Sequence, residues 1–437
     1  MLNGKKAALH NLGCKVNSYE LEAMQQLLEK AGCEIVPFEP GADIYIINTC
    51  TVTNIADRKS RQMLHKAKKM NPNAVVAAVG CYAQIKGEEL ETDEAIDLVL
   101  GSNRKNDLLE ALEEVLGTGE KKVDKSDWKE DREYERLEID RTEEHTRAFI
   151  KVQDGCNQFC SYCIIPFARG RVRSRETADV LTEIRKLAAS GVKEVVLTGI
   201  HLCSYGRDKE DGTDMIGLIE AVHEVEGIER IRLGSLEPGS MTEDVIRRMA
   251  ALPKVCPHFH LSLQSGCDRT LKRMNRKYTA AVFQQVADLL RKYYEHPALT
   301  TDVIVGFPGE TDEDFEESRR FVENIVFFET HIFPYSRREG TRAADFPDQL
   351  TMKEKKERGQ VLQDLDTIRR KEFLQYYIGR PLEVLFEEQI EVNGRLYWTG
   401  HGMEYQKVLL ADSRELENEI LTVTPASILE GEYLLCL

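Results

Sequence analysis

Short apolar runs of strand length recur along the first hundred residues, and stretches of helical period separate them. Lys6-Ala7-Ala8-Leu9-His10-Asn11-Leu12-Gly13-Cys14, Asp43-Ile44-Tyr45-Ile46-Ile47-Asn48-Thr49-Cys50 and Ala74-Val75-Val76-Ala77-Ala78-Val79-Gly80-Cys81 share one design, an apolar run ending in a cysteine. With helical stretches at roughly 17–31 and 53–70, the order is βαβαβ and the strands are expected to be parallel. Parallel strands of one sheet end on a common edge, where open α/β sheets place their ligands. Cys14, Cys50 and Cys81 are therefore expected to converge there. Taken one at a time, each is equally an ordinary buried cysteine, since free cysteine is among the most buried residue types.

Periodicity fades from about Gly117 to Arg147, where charge crowds the chain, as in Lys121-Lys122-Val123-Asp124-Lys125. That is the pattern of a linker or a long surface excursion. Strands and helices then alternate again to Tyr376, with candidate strands at 148–153, 194–199, 230–235, 258–264, 300–306 and 329–335. After Tyr377 come short β runs with turn signals, including an Asn393-Gly394 pair that marks a hairpin. The α/β chain is thus read as an N-terminal parallel domain (1–116), a charged linker (117–146), a core of six βα units (147–376) and a small C-terminal β-barrel (377–437).

Length and charge refine this picture. The 437 residues suit about three domains with sizeable cores. Eleven cysteines, six of them in two metal-like triplets, point to a reducing compartment rather than a disulfide scaffold. With no basic-then-apolar leader and no apolar run near ~18 residues, a soluble, cytoplasmic protein with no membrane partner is expected. The net charge of −16 is unevenly spread. Arg58, Lys59, Arg61, His65, Lys66, Lys68 and Lys69 form a basic helical face just after Cys50, suited either to phosphate contact or to plain solvation. Arg169, Arg171, Arg173 and Arg175 make a second stripe, and Lys272, Arg273, Arg276 and Lys277 a third. The C-terminal segment runs the other way, with four Lys/Arg against eleven Asp/Glu. Any RNA contact there would rest on a few groups such as Lys407, Tyr397, Trp398 and Tyr405, and the segment would equally serve only to buttress the core.

The second cysteine triplet is the most specific feature. Cys156-Asn157-Gln158-Phe159-Cys160-Ser161-Tyr162-Cys163 has the spacing C-x3-C-x2-C. Structural zinc and electron-carrying clusters normally take four protein ligands, so three thiolates leave one metal position open. A zinc loop with a distant fourth ligand is the plain alternative. The spacing, with an aromatic before the last cysteine, resembles the radical S-adenosylmethionine enzymes. In that superfamily the open iron of a 4Fe–4S cluster chelates S-adenosylmethionine, whose reductive cleavage yields a 5′-deoxyadenosyl radical.

Both triplets together resemble the methylthiotransferase branch of that superfamily over essentially the whole chain. The carrying phrases are Leu12-Gly13-Cys14-Lys15-Val16-Asn17-Ser18-Tyr19-Glu20, Asn48-Thr49-Cys50-Thr51-Val52-Thr53 and Cys163-Ile164-Ile165-Pro166-Phe167-Ala168-Arg169-Gly170. The resemblance implies a central partial (βα)6 radical barrel, a C-terminal TRAM barrel and two 4Fe–4S clusters. Cys156, Cys160 and Cys163 would hold the catalytic cluster, and Cys14, Cys50 and Cys81 the auxiliary one that supplies sulfur. Residues at the C-terminal ends of barrel strands are then candidates for S-adenosylmethionine: Gly199, Ser235, Glu237, Gln264 and Asp302. Glu237 or Asp302 would bind ribose hydroxyls or the ammonium group, or serve as internal salt-bridge partners. Cys33, Cys203, Cys256, Cys267 and Cys436 are read as structural.

Lys15-Val16-Asn17 and Ile164-Ile165-Pro166 look like the branch acting on N6-threonylcarbamoyladenosine beside the tRNA anticodon. The alternatives are isopentenyladenosine in tRNA, ribosomal protein S12, or a non-catalytic RNA-binding iron–sulfur protein. Expected partners are the tRNA anticodon loop, an electron donor such as flavodoxin or ferredoxin, and a sulfur source. Because the threonylcarbamoyl group carries a carboxylate, its pocket is expected to hold an unpaired cation, with Arg169 to Arg175 the nearest source in sequence.

Overall fold

The computed structural model describes residues 1–142 and 146–436. The first domain is a six-stranded, all-parallel sheet of order β2-β1-β3-β4-β5-β6. Its strands are β1 (Lys6–Asn11), β2 (Glu34–Ile35), β3 (Ile44–Thr49), β4 (Val75–Gly80), β5 (Leu98–Leu100) and β6 (Lys122–Asp124). Helices α1 (Lys15–Lys30), α2 (Asn54–Met70), α3 (Cys81–Glu91) and α4 (Leu108–Thr118) provide the crossovers. Every residue of β3 and β4 is buried, as expected for strands covered on both faces.

The charged stretch after Gly117 is not a free linker. Val123 lies in β6 against β5, and Leu137 and Ile139 are buried in the core of the next domain. Its apolar residues are too sparse to show a period, yet they fall where they cover a strand edge. Some of its charges are paired, Lys122 with Glu114 at 2.5 Å and Glu135 with buried Lys105. The final residues of that stretch, 143–145, lie outside the described ones.

Six parallel strands follow in chain order: β7 (Arg147–Asp154), β9 (Glu194–Gly199), β10 (Arg230–Leu233), β11 (His258–His260), β12 (Ala298–Val305) and β13 (Glu329–Pro334). A parallel bridge between Leu236 and Leu261 joins the halves of this partial (βα)6 barrel. The short antiparallel strand β8 (Arg173–Ser174) borders β7. Ala148, Ile150, Val152, Val195, Leu197, Ile231 and Leu233 pack into one core with residues of the surrounding helices, such as Ile184, Ile219 and Leu290. Strand alternation then turns Arg147, Lys151, Gln153, Glu194, Thr198, Arg230 and Arg232 inward. The lumen is therefore charged, which suits a polar ligand.

The third unit is a half-barrel of order β17-β14-β15-β16-β19-β18, built from β14 (Leu382–Val392), β15 (Arg395–Gly402), β16 (Lys407–Leu410), β17 (Ile420–Val423), β18 (Pro425–Leu429) and β19 (Tyr433–Cys436). Val392 faces Arg395, so Asn393-Gly394 is a two-residue turn, and φ values of 53° and 76° make it type I′. This unit docks on the N-terminal mouth of the radical barrel. Arg230 donates to the His401 carbonyl at 2.8 Å, Arg232 to that of Met403 at 3.0 Å, and Arg147 to Glu387 at 2.6 Å.

Candidate active site

The first cysteine triplet sits on the carboxyl edge of the N-terminal sheet. Cys14 caps the start of α1, Cys50 directly follows β3 and Cys81 opens α3 after β4. Glycines turn the chain before two of them, with φ of 122° at Gly13 and 95° at Gly80, where other side chains are strained. A Cβ on Gly13 would lie 3.1 Å from the Cys50 Cβ, so the loops bearing Cys14 and Cys50 are in contact. Asn17 takes a hydrogen bond from the Cys14 thiol at 3.8 Å, and Arg169 Nε donates to Cys81 Sγ at 3.1 Å. Arg169 also reaches Asn17 Oδ1 at 2.7 Å, which ties the Cys14 and Cys81 loops together.

The second triplet lies in the loop after β7. Gly155 (φ 69°) precedes Cys156, and a Cβ there would sit 1.8 Å from the Arg171 carbonyl oxygen. Phe159 precedes Cys160 at φ 48°, a left-handed conformation that costs a non-glycine residue on the order of 1–3 kcal/mol. It is held there by Phe167 edge-on at 5.8 Å, by the Arg171 guanidinium 4.7 Å above its ring, and by Asn275, which donates to its carbonyl at 2.9 Å. Arg276 donates to Cys160 Sγ at 3.2 Å and to Glu237 at 2.6 Å.

Burial pushes several of these thiols up, Cys156 to about 11, Cys50 to about 12, and Cys163 and Cys14 also upward. Cys14 is nonetheless solvent-exposed, so it lies in a concavity rather than in a core. The charged groups hydrogen-bonded to the two triplets are guanidiniums, which cannot ligate a metal. Each triplet thus offers three thiols and no fourth ligand from those neighbours. That donor set fits a 4Fe–4S cluster with one iron free of protein.

The strand-end residues expected to meet S-adenosylmethionine line the opposite mouth from the half-barrel. Gly199 ends β9, and a Cβ on it would lie 2.8 Å from Gln153 Oε1. Ser235 is exposed just beyond β10, while Glu237 is buried and paired with Arg276. Gln264 adopts φ 66° and bridges to β12, its N–H donating to the Asp302 carbonyl at 2.8 Å. The Asp302 carboxylate stands 3.4 Å from His260, which stacks on His331 at 5.8 Å.

Comparison with known proteins agrees with this geometry. Residues 150–322 match the Radical SAM superfamily, and residues 6–101 match uncharacterized protein family UPF0004. The threonylcarbamoyladenosine tRNA methylthiotransferase MtaB of Bacillus subtilis is 40% identical over 427 residues, covering 98% of this chain and 94% of that protein. Its Aquifex aeolicus counterpart is 41% identical over 384 residues, covering 88% and 93%. The chain belongs to the radical S-adenosylmethionine methylthiotransferase family. A tRNA-2-methylthio-N(6)-dimethylallyladenosine synthase of Pelotomaculum thermopropionicum is 35% identical over 428 residues, covering 96% and 95%. Among solved structures, the radical methyltransferase TsrM of Kitasatospora setae shares the fold, with a TM-score of 0.58 at 16% identity over 78% of this chain and 77% of that one.

In this methylthiotransferase the basic stripes differ in character. Arg58, Lys59, Arg61, Lys66 and Lys69 are exposed along α2, while Leu64 and Ala67 are buried on the other face. The arginine stripe after the radical loop is largely not a surface. Arg169, Arg173 and Arg175 are buried and paired with Glu20, Asp131 and Glu183 in turn, and Arg171 stacks over Trp128 and Phe159. Three of its four arginines are therefore neutralised by carboxylates, and Arg171, half-buried against two rings, is left without a carboxylate partner among the described residues. Arg276, expected in a third surface stripe, is likewise buried in the Cys160–Glu237 pairing.

The aromatic and basic groups expected to touch RNA in the half-barrel are also engaged. Trp398 is in its core, Lys407 pairs with Glu432, and Tyr405 stacks between His258 (4.8 Å) and His401 (4.5 Å) beneath Arg232. Sequence reasoning gave no role to Glu20, Asp154 and Glu194, the carboxylates that organise the lumen. Only Glu194 carried a local signal, as an acid heading the otherwise apolar β9, whereas Glu20 lies in α1 and Asp154 ends the polar-rich β7.

Proposed function

We propose that this enzyme adds a methylthio group to C2 of N6-threonylcarbamoyladenosine next to the anticodon of tRNA. The observation that carries the reading is the pair of three-thiol sets, one on each domain, joined through Arg169 at a charged lumen. When bound at these thiols, two 4Fe–4S clusters with S-adenosylmethionine would supply the radical and the sulfur, which the non-acidic adenine C2–H requires. The chain's own residues do the rest. α2 presents its unpaired cations to the phosphates of the anticodon arm. A base of the single-stranded loop can be splayed into the lumen at modest cost.

The branch within the family is supported by the phrases Lys15-Val16-Asn17 and Ile164-Ile165-Pro166. Identity is 40–41% to the two MtaB proteins against 35% to the dimethylallyladenosine synthase. An electron donor such as flavodoxin or ferredoxin, a sulfur source and a cytoplasmic site of action belong to the same proposal. No helix among the described residues is long and apolar enough to cross a membrane. The test is expression of this chain in cells stripped of their own methylthiotransferases, followed by mass spectrometry of tRNA nucleosides. Methylthiolated threonylcarbamoyladenosine should appear. Methylthiolated isopentenyladenosine in its place would defeat the proposal.

A further inference from the structure

His260, Asp302 and His331 come from three neighbouring barrel strands and belong to neither cysteine triplet. Register puts them on one face of the sheet. His260 of β11 lies opposite Thr300 of β12, Asp302 follows two positions later, and Asp302 lies opposite His331 of β13. Leu299, Val303 and Val305 take the other face of β12 into the core, so the three side chains face the lumen. Among the described strands β13 pairs with β12 alone, and His331 is exposed while His260 and Asp302 are half-buried. The cluster therefore stands on the open side of the partial barrel, apart from the strand starts that the half-barrel covers.

Two imidazole nitrogens and one carboxylate oxygen of these residues lie within 4.8 Å of one another. His260 Nε2 stands 3.4 Å from Asp302 Oδ2. Tetrahedral bonds of about 2.0–2.1 Å set ligand atoms about 3.4 Å apart, so this pair already has the spacing of a metal site. The other nitrogen holds the His260 ring in place, with Nδ1 3.1 Å from the Thr300 hydroxyl oxygen. Metal-bound histidines are anchored in this way through the distal nitrogen, which fixes the tautomer and aims the free lone pair. His331 stacks on His260 with ring centroids 5.8 Å apart, and among the described residues it makes no hydrogen bond or ion pair. Its exposure leaves it free to close the remaining distance. A plain ion pair between His260 and Asp302 would use two of the three residues and leave the His331 ring without a polar partner.

We propose that His260, Asp302 and His331 form a binding site for a divalent transition-metal ion of the zinc type, separate from both iron–sulfur sites. Two imidazoles and a carboxylate suit zinc, iron or nickel, whereas calcium and magnesium call for oxygen ligands throughout. Three protein ligands leave a coordination position open, and here it opens toward the lumen. Water, or an oxygen or nitrogen of a bound molecule, completes the shell. Asp302, expected from sequence to meet S-adenosylmethionine, is then a metal ligand instead.

The experiment uses the full chain with both clusters reconstituted, so that the six cluster thiols are occupied and cannot take the probe, which is zinc. Zinc and iron are counted by mass spectrometry after desalting, affinity is read by competition with a chelating indicator, and the zinc shell is read by X-ray absorption. One zinc per chain should be retained, bound to nitrogen and oxygen at about 2.0–2.1 Å with no sulfur at about 2.3 Å. Thr300→Val should weaken zinc binding by about 10- to 100-fold, the usual cost of losing a ligand's supporting hydrogen bond. His331→Ala, a change at an exposed position, should weaken it further still while iron content stays as in the wild type. Zinc that fails to bind, that is held through sulfur, or that binds His331→Ala as tightly as the wild type overturns the site.

Discussion

Replacing Arg169 by Met should loosen the N-terminal domain from the radical barrel. The guanidinium reaches Glu20 at 2.6 and 2.9 Å, Asp154 at 3.2 Å, Asn17 at 2.7 Å and Cys81 at 3.1 Å, so it joins α1 and α3 to β7. Removing one member of a buried ion pair costs about 3–5 kcal/mol, because its partner is left uncompensated. Lys151 still serves both Glu20 and Asp154, which places the loss near the lower end, about 3 kcal/mol. The carboxylate side shows the same pairing. Fully buried Glu20 is held down from 4.5 to about 2 by Arg169, Lys105 and Lys151, against the opposing effect of burial. That depression is the joint effect of all three cations, so removing Arg169 should let Glu20 rise only part of the way back. The sign is that of a depressed carboxylate: the contribution is complete above pH ~4.5 and is lost as pH falls toward ~2.

The assay is hydrogen exchange read by mass spectrometry at neutral pH. About 3 kcal/mol corresponds to roughly 100-fold more frequent opening. Exchange should rise in α1 and around residues 165–170, while the half-barrel keeps its protection. Unchanged exchange in α1, or a uniform rise across all three units, would refute the reasoning.

Further outcomes follow from the two triplets and the basic helix. Changing Cys156, Cys160 and Cys163 to Ala should halve iron from about eight per chain and abolish 5′-deoxyadenosine formation; persistence of that product would remove the radical assignment. Changing Cys14, Cys50 and Cys81 to Ala should leave cleavage of S-adenosylmethionine detectable and end methylthio transfer, and loss of cleavage at full iron content would contradict this division of labour. Lys66→Glu with Lys69→Glu should weaken tRNA binding and flatten its salt dependence, each lost phosphate contact lowering the log–log slope by about 0.7–0.9. An unaltered slope would return α2 to a merely solvated face.

How much was legible in the sequence depended on the range of the interaction. Cys14, Cys50 and Cys81 were expected to converge because strand period and the edge rule for parallel sheets are local and general. The Asn393-Gly394 turn was readable for the same reason, since two residues determine its backbone. The arginine stripe misled because burial is settled far away: Glu20 and Asn17, which take Arg169 inside, lie 149 and 152 positions earlier. Glu237 was named for the cofactor or for a salt bridge, and its pairing with Arg276 across 39 positions has no local signature. Val123 in β6 was hidden among lysines because a three-residue strand at a sheet edge needs little apolar pattern.

The most direct test of the central claim is product formation on two tRNA preparations, one lacking threonylcarbamoylation and one lacking isopentenylation. With the reconstituted enzyme, S-adenosylmethionine, a reductant and sulfide, the methylthio nucleoside should form on the second preparation and be absent from the first. Product from tRNA lacking threonylcarbamoylation, or methylthiolation of ribosomal protein S12 instead, would contradict the account.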